Sequence, residues 1–86
     1  MPTICEFYDI VIAMFHNDHA PPHFHAIYGE YRVLVGVDPV RVIAGSLPRR
    51  AQSMVIEWAA SHQLALRENW ERARAYQPLV RIEPLD

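Results

Sequence analysis

The hydrophobic pattern of this 86-residue chain changes its period once, at the turn Gly45-Ser46-Leu47-Pro48. Before this turn, apolar residues either run continuously or alternate with polar ones, which is typical of β-strands. After it, apolar residues recur every three or four positions, which is typical of an amphipathic helix. The sequence therefore predicts an α+β fold: a mostly antiparallel sheet of four to five strands, followed by a long helix packed on one of its faces.

Four strands are expected before the turn, over residues 4–16, 23–27, 31–37 and 40–44. In the first of them, residues 10–15 are apolar at every position, which predicts a strand buried on both faces and placed at the centre of the sheet. The second and third form a hairpin with Gly29 at its tip. A short last strand is predicted over residues 79–85, where Pro84 confines it to an edge or a strand end.

The helical pattern runs from about residue 48 to residue 76. A continuous helix of this length would span about 43 Å at 1.5 Å per residue. A domain of this size has a radius of gyration near 12 Å, so the helix would overhang it by a wide margin. We therefore expect a break at Ser61 to Gln63, with packing of the second half on a partner chain as the alternative. Ser46 is expected to cap the start of the helix.

Length and charge limit the class of protein and its partners. Residues 1–86 are expected to form one domain, whose thin core self-association would stabilise. The formal net charge is -2, whereas proteins that coat DNA through its phosphates carry a basic excess. Bulk DNA binding is therefore not expected, whereas RNA is still a possible partner. The expected partner is another small protein or a second copy of the chain.

The cysteine content and the apolar runs predict a cytoplasmic protein without membrane contact. Cys5 is the only cysteine, so the chain cannot form the internal disulfides that a small secreted domain usually needs. Its longest apolar run, residues 10–15, is far shorter than the ~20 residues of a membrane-spanning helix. The start of the sequence shows no signal-peptide pattern.

Four of the five histidines lie in the run His-Asn-Asp-His-Ala-Pro-Pro-His-Phe-His at residues 16–25. His23 and His25 are two positions apart in a predicted strand, so both point to one face of the sheet. His19 precedes them across a loop that two prolines stiffen, in which we expect trans peptide bonds. Asp18 flanks His19. Imidazole and carboxylate groups are the ligands that divalent transition metals prefer.

Three uses of these side chains stay open. The imidazoles can hydrogen-bond backbone groups of the loop and act only in folding. His19, His23 and His25 can hold a divalent transition metal ion. The same three histidines, with Asp18 as the orienting group, can transfer protons in a catalytic site such as that of a nuclease-like phosphodiesterase, because imidazole titrates near neutral pH.

Other residues outside the histidine run carry weaker signals. Arg49 and Arg50 lie in the first turn of the predicted helix, where backbone amides and guanidinium groups can bind an anion. The alternative is that both arginines are simply solvated. Asn69 interrupts the apolar stripe of the helix and is expected to hydrogen-bond to the sheet or to the histidine loop.

Residues 17–26, Asn-Asp-His-Ala-Pro-Pro-His-Phe-His-Ala, followed by Tyr-Gly-Glu, resemble a family of small bacterial proteins classed as a domain of unknown function. The opening Met-Pro-Thr-Ile, the turn at residues 45–48, the Asn-Trp pair at 69–70 and the closing Ile-Glu-Pro-Leu extend the resemblance over nearly the whole chain. The resemblance covers Asp18, His19, His23 and His25, together with the two prolines, but not His16. It implies no activity.

Gene neighbourhoods in that family resemble those of toxin-antitoxin pairs, in which a small protein acts on another small protein. The resemblance therefore implies a protein-binding module of such a pair. The alternative function is a nuclease-like phosphodiesterase or a metal-binding protein that uses His19, His23 and His25.

Overall fold

The computed structural model describes residues 2–86 and consists of a five-stranded antiparallel sheet followed by two helices. Each strand pairs with the next along the chain, so the order in the sheet is β1-β2-β3-β4-β5. The elements are β1 (Thr3–Phe7), β2 (Ile10–Ala13), β3 (His23–Tyr28), β4 (Tyr31–Val37), β5 (Val40–Ser46), α1 (Arg49–Ser61) and α2 (Gln63–Arg74). The predicted α+β class is confirmed.

The predicted first strand is two strands joined by a tight turn. Tyr8 and Asp9 form this turn with φ angles of 49° and 65°, and β1 pairs with β2 on either side of it. The prediction of one central strand over residues 4–16 is therefore wrong, and β3 takes the central position. The turn carries no glycine or proline, the residues that most strongly mark a turn in a sequence.

The core lies between the sheet and the two helices. Trp58 of α1 is fully buried, and its ring lies 5.6 Å from that of Phe7 and 5.8 Å from that of Phe24. The Trp58 Nε1–H donates to the carbonyl of Glu83 at 2.7 Å. The other large side chains that are fully buried are mainly aliphatic: Ile4, Ile10, Ile12, Met14, Val33, Val35, Val37, Val55 and Leu66.

The long helix breaks within the predicted segment, at His62. The Nδ1 atom of His62 lies 2.8 Å from the carbonyl of Trp58, and the Gln63 side chain donates to the carbonyl of Val37 at 2.8 Å. The second bond fixes the start of α2 on the end of β4. Ser46 ends β5 and does not cap α1, so that expectation is wrong. Within residues 2–86, neither helix is long and apolar enough to cross a membrane.

The predicted last strand over residues 79–85 does not form a ladder with the sheet. Its backbone meets the sheet where the Ile82 N–H donates to the carbonyl of Ile4 at 2.9 Å. Asn69 of α2 also holds the segment, because its side chain accepts from the Val80 N–H at 2.9 Å and donates to the Val80 carbonyl at 2.8 Å. Asn69 therefore fastens the C-terminal segment, not the sheet or the histidine loop.

We expect Asn69→Ala to lower the free energy of unfolding by about 2 kcal/mol, because it removes both hydrogen bonds to Val80 and leaves these groups without their partner. The measurement is urea unfolding followed by tryptophan fluorescence. Asn17→Ala is the matched control, since Asn17 is exposed and makes only a 3.5 Å contact with the hydroxyl of Tyr76. Equal stability of the two variants would contradict the role assigned to Asn69.

Candidate metal centre

The candidate site lies where the loop between β2 and β3 returns to the sheet. His23 and His25 are the first and third residues of β3, and their ring centroids are 5.4 Å apart. Asp18 belongs to the preceding loop. The loop is tied to the sheet beyond β3, because the Val37 N–H of β4 donates to the carbonyl of Pro22 at 3.2 Å. Side chains alternate between the two faces of β3, so both imidazoles lie on the same face. The loop places the carboxylate of Asp18 next to them.

One carboxylate oxygen faces both imidazoles. The Oδ2 atom of Asp18 lies 3.1 Å from Nε2 of His25 and 3.3 Å from Nε2 of His23. One potential ligand atom from each of the three residues lies within 4.8 Å of the other two. The exposed fractions of the side chains are 20% for Asp18, 10% for His23 and 11% for His25, so bulk water reaches the cluster only at its edge.

The tautomer of His23 follows from its second contact. Its Nδ1 atom lies 2.9 Å from the carbonyl oxygen of Pro21, which only accepts hydrogen bonds, so Nδ1 carries a proton. In the neutral ring, Nε2 then holds a lone pair, and this atom lies 3.3 Å from Oδ2 of Asp18. Two acceptors at 3.3 Å repel each other unless a cation lies between them. A proton between the two groups or a metal ion removes this repulsion.

His25 differs from His23 in the contacts of its second ring nitrogen. Its Nδ1 atom is buried and has no hydrogen-bond partner among the described residues, and its ring meets that of Phe15 edge-on at 4.7 Å. Burial lowers the pKa of His25 below its usual value, and the nearby Asp18 carboxylate opposes this shift only in part. The lowered pKa favours the neutral imidazole, whose Nε2 atom serves either as a donor to Asp18 or as a metal ligand.

The second helix closes one side of the cluster. The ring of Trp70 lies 5.3 Å from that of His23, and the guanidinium carbon of Arg74 lies 6.0 Å from the Trp70 ring. Trp70 is almost completely buried. No signal in the sequence linked Trp70 or the Pro21 carbonyl to the histidines, because the first comes from a distant helix and the second is a backbone group. The Ala20-Pro21 bond is cis, so the expected trans geometry is wrong there.

The structure gathers part of the predicted set of site residues. His19 is exposed and lies outside the cluster, so the described chain brings together two imidazoles and the carboxylate of Asp18, not three imidazoles. His16 stacks on Tyr76, with the ring centroids 6.0 Å apart and an interplanar angle of 9°.

The remaining candidates lie elsewhere. Arg49 and Arg50 are exposed at the start of α1. The surface depression that Arg50 lines also contains Asp9 and Glu57, whose negative charges do not favour an anion there. Cys5 is buried, and burial raises the pKa of its thiol, which disfavours the reactive thiolate.

The fold and the cluster define a small α+β protein in which two histidines of the central strand lie next to an aspartate of the preceding loop. A family model described as a domain of unknown function, DUF4160, matches residues 9–71, and the chain belongs to this family. The match includes the whole cluster, and it confirms the resemblance to a family of unknown function. No curated protein and no solved structure matches the chain.

Proposed function

We propose that the protein binds a divalent transition metal ion through Asp18, His23 and His25. The contact between His23 and Asp18 carries this proposal. The Pro21 carbonyl fixes the proton of His23 on Nδ1, which leaves Nε2 free to act as a ligand 3.3 Å from the Asp18 carboxylate. A backbone carbonyl that holds the far nitrogen of a histidine is the usual outer partner of a metal-binding imidazole.

Two of the three spacings between the ligand atoms match those around a metal ion. Two ligands ~2.1 Å from one ion are about 3.0 Å apart at octahedral angles and about 3.4 Å apart at tetrahedral angles. The separations of 3.1 and 3.3 Å between Asp18 Oδ2 and the two Nε2 atoms lie in this range. The set of three atoms extends over as much as 4.8 Å, so an ion would draw the two imidazoles closer together. Two neutral imidazoles and one carboxylate suit zinc, iron(II), manganese or nickel.

The number of ligands indicates what such a centre can do. Structural zinc sites use four protein ligands, whereas catalytic sites use three and keep a position for water or substrate. The described residues supply three. A metal ion so held lowers the pKa of bound water and supports hydrolysis at neutral pH. The proposed activity is therefore metal-dependent hydrolysis of a phosphodiester such as RNA. The proposed location of the protein is the cytoplasm.

Elemental analysis of protein purified without a histidine tag tests the proposal. After loading with zinc and dialysis, we expect about one zinc ion per chain in the unmodified protein and almost none in the Asp18→Asn/His25→Ala double variant. Circular dichroism shows whether the variant is folded. If the folded, unmodified protein retains no zinc, iron, manganese or nickel after loading, the cation between His23 and Asp18 is a proton and the metal proposal fails.

A second candidate function is binding of another small protein, encoded by the adjacent gene, along the free edge of β5. In the sheet, β5 pairs with β4 on one side only, and five of its seven residues are exposed. Such an edge offers unpaired backbone groups to a strand of a partner. Ile43 on this strand is exposed, and its apolar side chain would be covered by the partner.

We expect Ile43→Lys to reduce the recovery of the adjacent gene's product about tenfold or more in co-purification, because charged side chains on an edge strand oppose pairing. Leu64→Lys is the control, since Leu64 is also an exposed apolar residue but lies on α2. Equal recovery by both variants would contradict binding through β5. Recovery of only further copies of this chain would replace the partner with a homodimer.

A further inference from the structure

The structure points to a second binding feature beside the cluster. We infer that the depression next to Asp18 binds a phosphate group of the substrate and that Arg74 recognises this group. The inference rests on the proposed metal centre, since it names the class of ligand that the centre would meet. The depression has a volume of about 370 Å³ and is lined by His16, Asn17, Asp18, His19, Arg74 and Tyr76.

Asp18 connects the depression to the metal site. Its carboxylate faces Nε2 of His23 and of His25, and the same residue lines the depression. A ligand in the depression would therefore lie beside the ion that these residues hold. A metal ion also offsets the negative charge of Asp18, the one acidic residue in this lining. With the ion bound, the lining has a positive charge balance.

Arg74 is placed to meet an anion. It forms no ion pair with any residue between 2 and 86, unlike Arg67, whose guanidinium lies 3.7 Å from Asp38. Its guanidinium rests over the ring of Trp70 at 6.0 Å, and Trp70 in turn contacts His23. Arg74 is exposed, so its guanidinium is accessible to a ligand. A guanidinium with free N–H groups is suited to bidentate binding of phosphate oxygens.

Tyr76 adds a strained and exposed donor to the same depression. Its φ angle is 56°, a left-handed conformation that is uncommon for an aromatic residue, and its side chain is 71% exposed. The residue follows the end of α2, and its ring stacks on His16. This conformation ends α2, because the Tyr76 N–H donates to the carbonyl of Ala73 at 3.1 Å and the Gln77 N–H donates to that of Arg72 at 2.8 Å. Tyr76 therefore presents a hydroxyl and a flat ring at the rim of the depression, beside Arg74.

The test uses cobalt(II) as the metal probe and inorganic phosphate as the ligand. Cobalt binding is measured first, from its visible absorption, and phosphate is then titrated into the cobalt-loaded protein. We expect phosphate to change the cobalt spectrum, and we expect Arg74→Gln to weaken phosphate binding about tenfold or more while cobalt binding is unchanged. Arg67→Gln, on the same helix but outside the depression, is expected to bind phosphate like the unmodified protein.

The outcomes separate the two proposals. If cobalt does not bind, the metal centre is wrong and this inference fails with it. If cobalt binds and phosphate does not change its spectrum, the metal centre stands and the inference is overturned. If Arg74→Gln and Arg67→Gln weaken phosphate binding equally, Arg74 has no specific role. If acetate binds as tightly as phosphate, the depression recognises carboxylates and the assignment to phosphate is wrong.

Discussion

Replacing His25 with alanine is expected to weaken zinc binding by about 100-fold or more, whereas replacing His19 with alanine is expected to leave it unchanged. Loss of an outer partner of a metal ligand already costs 10- to 100-fold in affinity, and loss of the ligand itself costs at least as much. Nε2 of His25 is one of the three converging ligand atoms, while His19 lies outside that group. Competition with a chromophoric zinc chelator measures both affinities.

A second variant tests the same prediction in case the alanine substitution disturbs the structure of β3. His25→Gln retains a polar side chain of similar length but not the imidazole nitrogen, so we expect a similar loss of zinc affinity. An equal loss in His19→Ala would show that the metal is held by a different set of residues. Zinc affinity that is insensitive to His25 would contradict the proposed ligand set directly.

Replacing Trp58 with alanine is expected to lower the free energy of unfolding by about 4 kcal/mol, as for other large aromatic residues removed from a core. Trp58 is fully buried between Phe7 and Phe24, and its indole N–H also holds the C-terminal segment through the carbonyl of Glu83. Proteins of this size have a total stability of about 4 to 13 kcal/mol. The variant is therefore expected to lose between about a third and all of its stability.

Urea unfolding followed by circular dichroism measures this effect. Leu64→Ala serves as the control, because Leu64 is 69% exposed and its truncation creates no cavity. Trp58→Phe is expected to lose less stability than Trp58→Ala, since the phenyl ring refills much of the space but cannot donate to Glu83. A loss below about 1 kcal/mol for Trp58→Ala would contradict the central place of this residue in the core.

The fold could be predicted from periodicity because each half of the chain has one clear period. The hairpin of β3 and β4 and the break at His62 followed from alternation, from Gly29 and from the length of the helical stripe. The turn at Tyr8 and Asp9 could not be predicted from the hydrophobic pattern, because apolar residues flank it on both sides. The C-terminal segment has the residue pattern of a strand, but Asn69 takes up the backbone groups of Val80.

The candidate site could be predicted only where it depends on a regular element. His23 and His25 converge because residues two apart in a strand share a face. The position of Asp18 depends on the path of the loop, which the contact between Pro22 and Val37 of β4 helps to fix. No local pattern encodes that contact. The sequence therefore identified all three residues of the cluster, with Asp18 as an orienting group, but also included His19, which lies outside it.

X-ray absorption at the metal edge of the zinc-loaded protein is the most direct test of the proposed metal centre. We expect two imidazole nitrogens and at least one carboxylate oxygen at ~2.0–2.2 Å from zinc, with the remaining coordination filled by water, and no sulfur. Asp18→Asn is expected to change this spectrum, and His19→Ala is not. A spectrum with three or more imidazoles, or with a sulfur ligand at ~2.3 Å, would contradict the proposed centre at Asp18, His23 and His25.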